Sequence, residues 1–186
     1  MKRNQVLAVG LTLGVAAAAW SQQTPVMPAE DAALAQQRLA QGGRMSPMEK
    51  AALAKAQAGQ ANTQEGNVFL LQNRKKPGVK VLASGVQYRV LKAGSGKKPS
   101  EDSTVQARYV GNLLDGRSFD KVEDAAGTSL VVRGLVPGLR DAVKRMPAGS
   151  SWEIVVPPSA AYGAAGGHGI GPNAVLVYQF ALLGVK

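Results

Sequence analysis

The sequence predicts an α+β protein: a curved antiparallel β-sheet of five or six strands wrapped over one short α-helix, preceded by an N-terminal helical arm. Three observations carry that prediction. Beyond Pro77 the apolar residues alternate with period two, as half-buried strands require. Within that half only Pro137 to Met146 has helical spacing, with Leu139, Val143 and Met146 on a common face. From Ala29 to about Lys76 the chain is instead rich in alanine and glutamine and nearly free of β-branched residues, a helical composition.

Taken in order, Lys2-Arg3 precedes an apolar run from Val6 to Ala19 that is too short to cross a bilayer as a helix. Ala19-Trp20-Ser21 supplies the small residues of a cleavage site, so residues 1–21 read as a secretory signal peptide and the mature chain begins near Gln22. The expected location is periplasmic or secreted, with no transmembrane anchor after cleavage. Residues 22–77 form the arm. Leu34 and Leu39, then Met48 and Leu53, have helical spacing, and Ser46-Pro47-Met48-Glu49 combines a serine cap, proline at the first helical position and a capping-box glutamate. Gln41-Gly42-Gly43 and Gly59 punctuate the arm, which predicts two short helices and a third from about Thr63 to Lys76, ended by Pro77-Gly78. So few large apolar residues cannot make a core alone. The arm must pack on the C-terminal domain, pair with a second copy or stay partly mobile.

Residues 78–186 form the sheet domain. Val86, Tyr88 and Val90 alternate with Gln87 and Arg89, and Val105, Ala107 and Tyr109 alternate with Gln106 and Arg108. Trp152, Ile154 and Val156 follow the Ala148-Gly149 turn, and Leu176, Tyr178, Phe180 and Leu182 share one face of a last strand. Asp115-Gly116 marks a turn between Leu114 and Phe119.

Composition excludes several kinds of chemistry. The chain has no cysteine and one histidine, so it has neither a disulfide framework nor a thiol nucleophile. His168 has no second imidazole or carboxylate at ligand spacing, and no metal or cofactor is expected. The formal charge is +10, but its only runs, Arg74-Lys75-Lys76 and Lys97-Lys98, are not interleaved with aromatic residues. That is a solvated basic surface rather than a nucleic-acid stripe. The glycine-rich run Gly163 to Gly171 lacks the lysine and hydroxyl residue of a phosphate loop and opens no helix, so it reads as a flexible substrate flap.

A scattered set remains: Tyr109, Phe119 with Asp120, Val136, Tyr162, Ile170 and Tyr178. Each lies beside a turn former or on an alternating strand, placed to line an apolar cleft with one carboxylate. The ordered string Tyr109-Val110-Gly111, Asp115-Gly116, Phe119-Asp120, Val136-Pro137-Gly138, Met146-Pro147-Ala148-Gly149-Ser150, Ala161-Tyr162-Gly163 and Gly171-Pro172-Asn173 resembles the FKBP-type peptidyl-prolyl isomerases from about Ser84 to Val185. Phe69-Leu70 and Asn73-Arg74-Lys75-Lys76-Pro77-Gly78-Val79 resemble the secreted macrophage-infectivity-potentiator subfamily, with a shorter arm.

The resemblance implies rotation of the peptide bond before proline, in folding clients of the cell envelope, and susceptibility to the macrolide inhibitors of the family. It makes the arm a candidate dimerisation segment. Tyr109, Phe119, Asp120 and Tyr162 are the implied catalytic residues, and Leu130, Leu135, Val136, Leu139, Ile170 and Tyr178 the implied substrate-binding residues. Of these, Tyr162 would donate its hydroxyl to a substrate carbonyl, as would the Val136 N–H, while Ile170 would cover the bound peptide. Two departures stand out. Leu139 occupies the floor position where the family often carries tryptophan, and Lys121-Val122-Glu123-Asp124 follows Asp120, which would leave Asp120 to pair with Lys121 or a distant group. The reading from another class is a non-catalytic peptide-binding chaperone, or an envelope interaction protein, using the same cleft and arm.

Overall fold

A computed structural model describes residues 29–186; the expected signal peptide, residues 1–21, lies outside them. Helix α1 (Ala29–Ala40) and helix α2 (Pro47–Asn73) form the arm. Seven strands follow: β1 (Val79–Val81), β2 (Gln87–Lys92), β3 (Thr104–Asn112), β4 (Ser118–Val122), β5 (Thr128–Val131), β6 (Ser151–Val156) and β7 (Leu176–Val185), with helix α3 (Pro137–Val143) between β5 and β6. All belong to one antiparallel sheet of order β1-β2-β6-β7-β3-β4, and β5 pairs with β3. The α+β architecture is as expected. The strand count rises to seven because β1 and β5 are three and four residues long, too short to show alternation.

The arm differs from the expectation of three short helices. Helix α2 runs unbroken for 27 residues through Gly59. Its start is the one expected: Ser46 accepts from the Glu49 N–H at 3.2 Å while the Glu49 carboxylate accepts from the Ser46 N–H at 2.7 Å. Gly59 is no break but a contact. A Cβ there would lie 3.1 Å from Pro172 Cβ, and one at Gly66 would lie 2.8 Å from Val175 Cγ2. The glycines trade about 1 kcal/mol of helix propensity each for close approach to the loop before β7.

At its end α2 is tied to β2 by buried amides. Asn73 Nδ2 donates to Gln87 Oε1 at 2.9 Å, and Gln87 Nε2 donates to the Leu70 carbonyl at 2.9 Å. Gln87 is therefore buried although the alternation places it outward, and Val90, expected inward, is exposed beside a register shift between Val90 and Lys92. The arm packs on the sheet domain.

The core lies between the sheet and α3. Leu139, Val143 and Met146 face Ile154, Leu176, Phe180 and Leu182, all buried. Each large side chain so buried contributes roughly 1.5–3 kcal/mol. Tyr88 stacks on Trp152 with centroids 4.3 Å apart, joining β2 to β6.

Candidate active site

The far edge of β3 is shared between two strands. Strand β5 pairs with Thr104–Ala107 and β4 with Tyr109–Asn112, which exposes the Tyr109 end of β3 between β4 and β7. Gly111 sits opposite both Asp120 on β4 and Tyr178 on β7. One step later Asn112 pairs with Ser118, so Phe119 is left without a partner. That bulge matters. Consecutive residues of a regular strand face opposite sides, whereas a bulge re-aims a side chain. Here the Phe119 ring meets Tyr178 edge-on at 5.5 Å while its neighbour Asp120 accepts the Tyr109 hydroxyl hydrogen bond at 2.8 Å.

The rings form a continuous patch. Tyr109 stacks on Phe180 at 5.9 Å and tilts against Tyr178 at 6.4 Å. Gly111 leaves room for it: a Cβ there would lie 2.6 Å from Phe119 Cζ and 3.0 Å from Tyr178 Cε1. Leu139, Ile170 and Tyr178 are buried beneath, and Tyr109, Phe119, Leu135, Val136 and Tyr162 are half-buried around them. Leu130 belongs to the same apolar cluster but lies opposite Val105, four residues along β3 from Tyr109.

Electrostatically the cleft is a group of neutral phenols around one carboxylate. Burial, and then the hydrogen bond to Asp120, push the Tyr109 phenol up to about 12 from its ordinary 10.0. Tyr178 is raised further, chiefly by burial and then by Tyr162, Asp120 and Tyr109 nearby. Both hydroxyls keep their protons throughout the neutral range. Lys121 does not pair with Asp120; its ammonium binds Glu123 at 2.8 Å. The group that Asp120 holds is Tyr109.

Val136 begins α3 as its N-cap at φ −54° and ψ 145°, followed by Pro137 at the first helical position, and its N–H donates to no backbone carbonyl among the described residues. Tyr162 precedes the flap, residues 163–173. The Asn173 N–H closes the neck of the flap on the Gly163 carbonyl at 2.8 Å, and Gly167 and Ile170 exchange hydrogen bonds at 2.9 Å each way. Ile170 is thus folded down on the cluster, and exposed His168, at φ 52°, sits at the tip against the Tyr162 ring at 5.7 Å.

The residues proposed from sequence gather on one apolar cluster, with Asp120 joined to it through Tyr109. Sequence reasoning missed the contributions of Gly111 and Phe180. A glycine within an alternating strand, directly before the turn, was the signal for the first. Among the described residues no cluster of His, Asp or Glu could hold a metal ion, and no helix is long and apolar enough to cross a membrane.

An antiparallel sheet over one helix thus carries an aromatic patch with one hydrogen-bonded carboxylate at its margin. The chain belongs to the FKBP-type peptidyl-prolyl cis-trans isomerase family. Residues 95–183 match the model of that isomerase domain, and residues 4–90 match that of the domain amino terminal to it. The outer membrane protein MIP of Legionella longbeachae is 40% identical over 149 residues, covering 76% of this chain and 64% of its own length. The peptidyl-prolyl cis-trans isomerase Mip of Coxiella burnetii is 40% identical over 127 residues, 67% of this chain and 55% of its own length. The chain thus spans somewhat over half the length of these relatives. Among solved structures, a peptidyl-prolyl cis-trans isomerase from Pseudomonas syringae pv. tomato superposes with TM-score 0.64 at 32% identity over 77% of this chain and 99% of its own. FkpA from Escherichia coli gives TM-score 0.69 at 30% identity over 84% and 82%.

Proposed function

We propose that the protein is a peptidyl-prolyl cis-trans isomerase that accelerates folding of exported, proline-containing polypeptides. The observation carrying this reading is the 2.8 Å Tyr109–Asp120 pair set in the aromatic patch, with half-buried Tyr162 in the same cluster and a Val136 N–H that no described backbone carbonyl accepts. Peptide-bond rotation has a barrier of roughly 18–20 kcal/mol, and before proline it takes on the order of 10–100 s uncatalysed. Reaching milliseconds requires about 5.5 kcal/mol, or four factors of ten.

No proton or electron pair need be exchanged. A twisted amide loses its resonance and with it polarity at the carbonyl, so a dry apolar cleft disfavours the planar form relative to the twisted one. Tyr178, Leu139 and Phe119 grip the proline ring, with Leu130 and Leu135 extending the apolar wall. Tyr162 and the Val136 N–H hold carbonyls along the peptide, each hydrogen bond contributing about 0.5–1.5 kcal/mol net. Asp120 fixes the Tyr109 hydroxyl and places a negative charge beside the rotating carbonyl. Ile170 covers the peptide.

Residues 22–77 serve as the arm and 78–186 as the isomerase domain, delivered across the inner membrane by residues 1–21. Exposed Leu34, Leu39, Met48, Val68 and Leu71 on α1 and α2 support dimerisation through the arm. The activity is tested by cis/trans exchange of a short proline peptide with and without a macrolide inhibitor, beside an aggregation assay on a proline-free client. Acceleration that the macrolide abolishes supports the reading. Protection of the client with no acceleration would establish the chaperone alternative instead.

A further inference from the structure

Helix α2 touches more than the back of the sheet domain. Gly59, Asn62 and Gly66 recur at the spacing of one helix face, and that face lies along the loop that carries the flap. Asn62 Nδ2 donates to the Pro172 carbonyl at 2.7 Å, one residue from Asn173, whose N–H closes the flap neck on Gly163. Asn173 Nδ2 reaches back to the Gly59 carbonyl at 3.5 Å. The helix also faces the β3–β4 turn. A small cavity is bounded by Asn62 and Glu65 of α2, by Leu113 and Leu114 just after β3, and by Gly171 of the flap and Ala174 beyond it. Phe119 and Asp120 follow the same β3–β4 turn, Tyr162 directly precedes the flap and Ile170 lies within it.

We propose that α2 is a brace for the active site and that Asn62 is a positioning residue: by holding the flap neck at Pro172, it keeps Tyr162 and Ile170 over the cleft. The inference rests on the isomerase reading for its consequence in rate but not for the contact itself. A flap freed at its neck spends more time away from the cleft, which lowers the competent fraction and raises the apparent dissociation constant in proportion. Rotation in the fraction that binds is unchanged. The effect therefore falls on KM rather than on kcat.

Asn62→Ala removes the donor on a partly exposed helix position where alanine is favourable, so the fold is retained. In the full-length protein we expect KM for a proline peptide to rise about fivefold at nearly constant kcat, the weight of one hydrogen bond. Hydrogen exchange of the amides of residues 163–173 should quicken while that of β6 and β7 stays protected. Gln57→Ala, on the exposed face of the same helix, should change neither quantity. Unaltered flap exchange and KM in Asn62→Ala, or the same changes in Gln57→Ala, would overturn the proposal. If the native protein lacked prolyl activity the isomerase reading would fall, and the flap exchange alone would still decide the brace.

Discussion

Asp120 is an exposed carboxylate held at the margin of an aromatic cluster. Its tie to Tyr109 is a charge-assisted hydrogen bond at 2.8 Å, made possible by its pairing opposite Gly111, which shares a strand face with Tyr109. Asp120→Ala should lower kcat/KM by about tenfold, the order of a hydrogen bond to a charged group, with little change in thermal midpoint because the side chain is exposed. Gly111→Ala has the opposite profile. Its methyl group would displace the Phe119 ring, costing about 1–3 kcal/mol of stability together with activity, as denaturant unfolding would register. Leu139→Trp tests the floor: Leu139 is 4% exposed within the core, so indole bulk should destabilise by about 1–3 kcal/mol and alter turnover or macrolide affinity. A variant unchanged in all three would contradict the place given to Leu139. The Tyr109 phenol has a folded value of about 12 against an ordinary 10.0, so its contribution to stability is fully present below pH 10 and is lost as pH rises through 12. Spectrophotometric titration should show Tyr109→Phe losing a late-titrating phenol and a shallower alkaline loss of stability.

Among the elements, α2 separates what local sequence determines from what it does not. Its start was legible because Ser46, Pro47 and Glu49 act on one another within a single turn. Its continuity was not, because Gly59 looks like a break to local propensity and is explained only by Pro172, more than a hundred residues away. The same holds for Gln87, whose burial depends on Asn73 and Leu70, and for the Phe119 bulge, which exists only in the pairing of β3 with β4. The longer strands were readable because alternation and turn chemistry are local, and the family because the order of its motifs is written in the sequence. The glycine seam offers a quantitative test. Alanine at Gly59 gains about 1 kcal/mol of helix propensity against a tight but adjustable contact, whereas alanine at Gly66 meets buried Val175. Thermal unfolding should find Gly59→Ala near neutral and Gly66→Ala destabilised.

The whole molecule joins a helical arm to a sheet domain, and the arm reaches the flap through the Asn62–Pro172 hydrogen bond. The arm leaves large apolar side chains exposed, Met48 at 81% and Val68 and Leu71 at 54% each, which a second copy would cover. Light scattering of the mature chain should give the mass of a dimer, and Val68→Lys with Leu71→Lys should give a monomer with its peptide turnover intact. A monomeric native protein would contradict the dimer. The central claim is the activity itself, and cis/trans exchange of a short proline peptide tests it most directly, comparing the native protein with the Asp120→Ala, Tyr162→Phe double variant. The account predicts acceleration by the native protein that is largely lost in the double variant. No acceleration, or acceleration undiminished in the double variant, would contradict it.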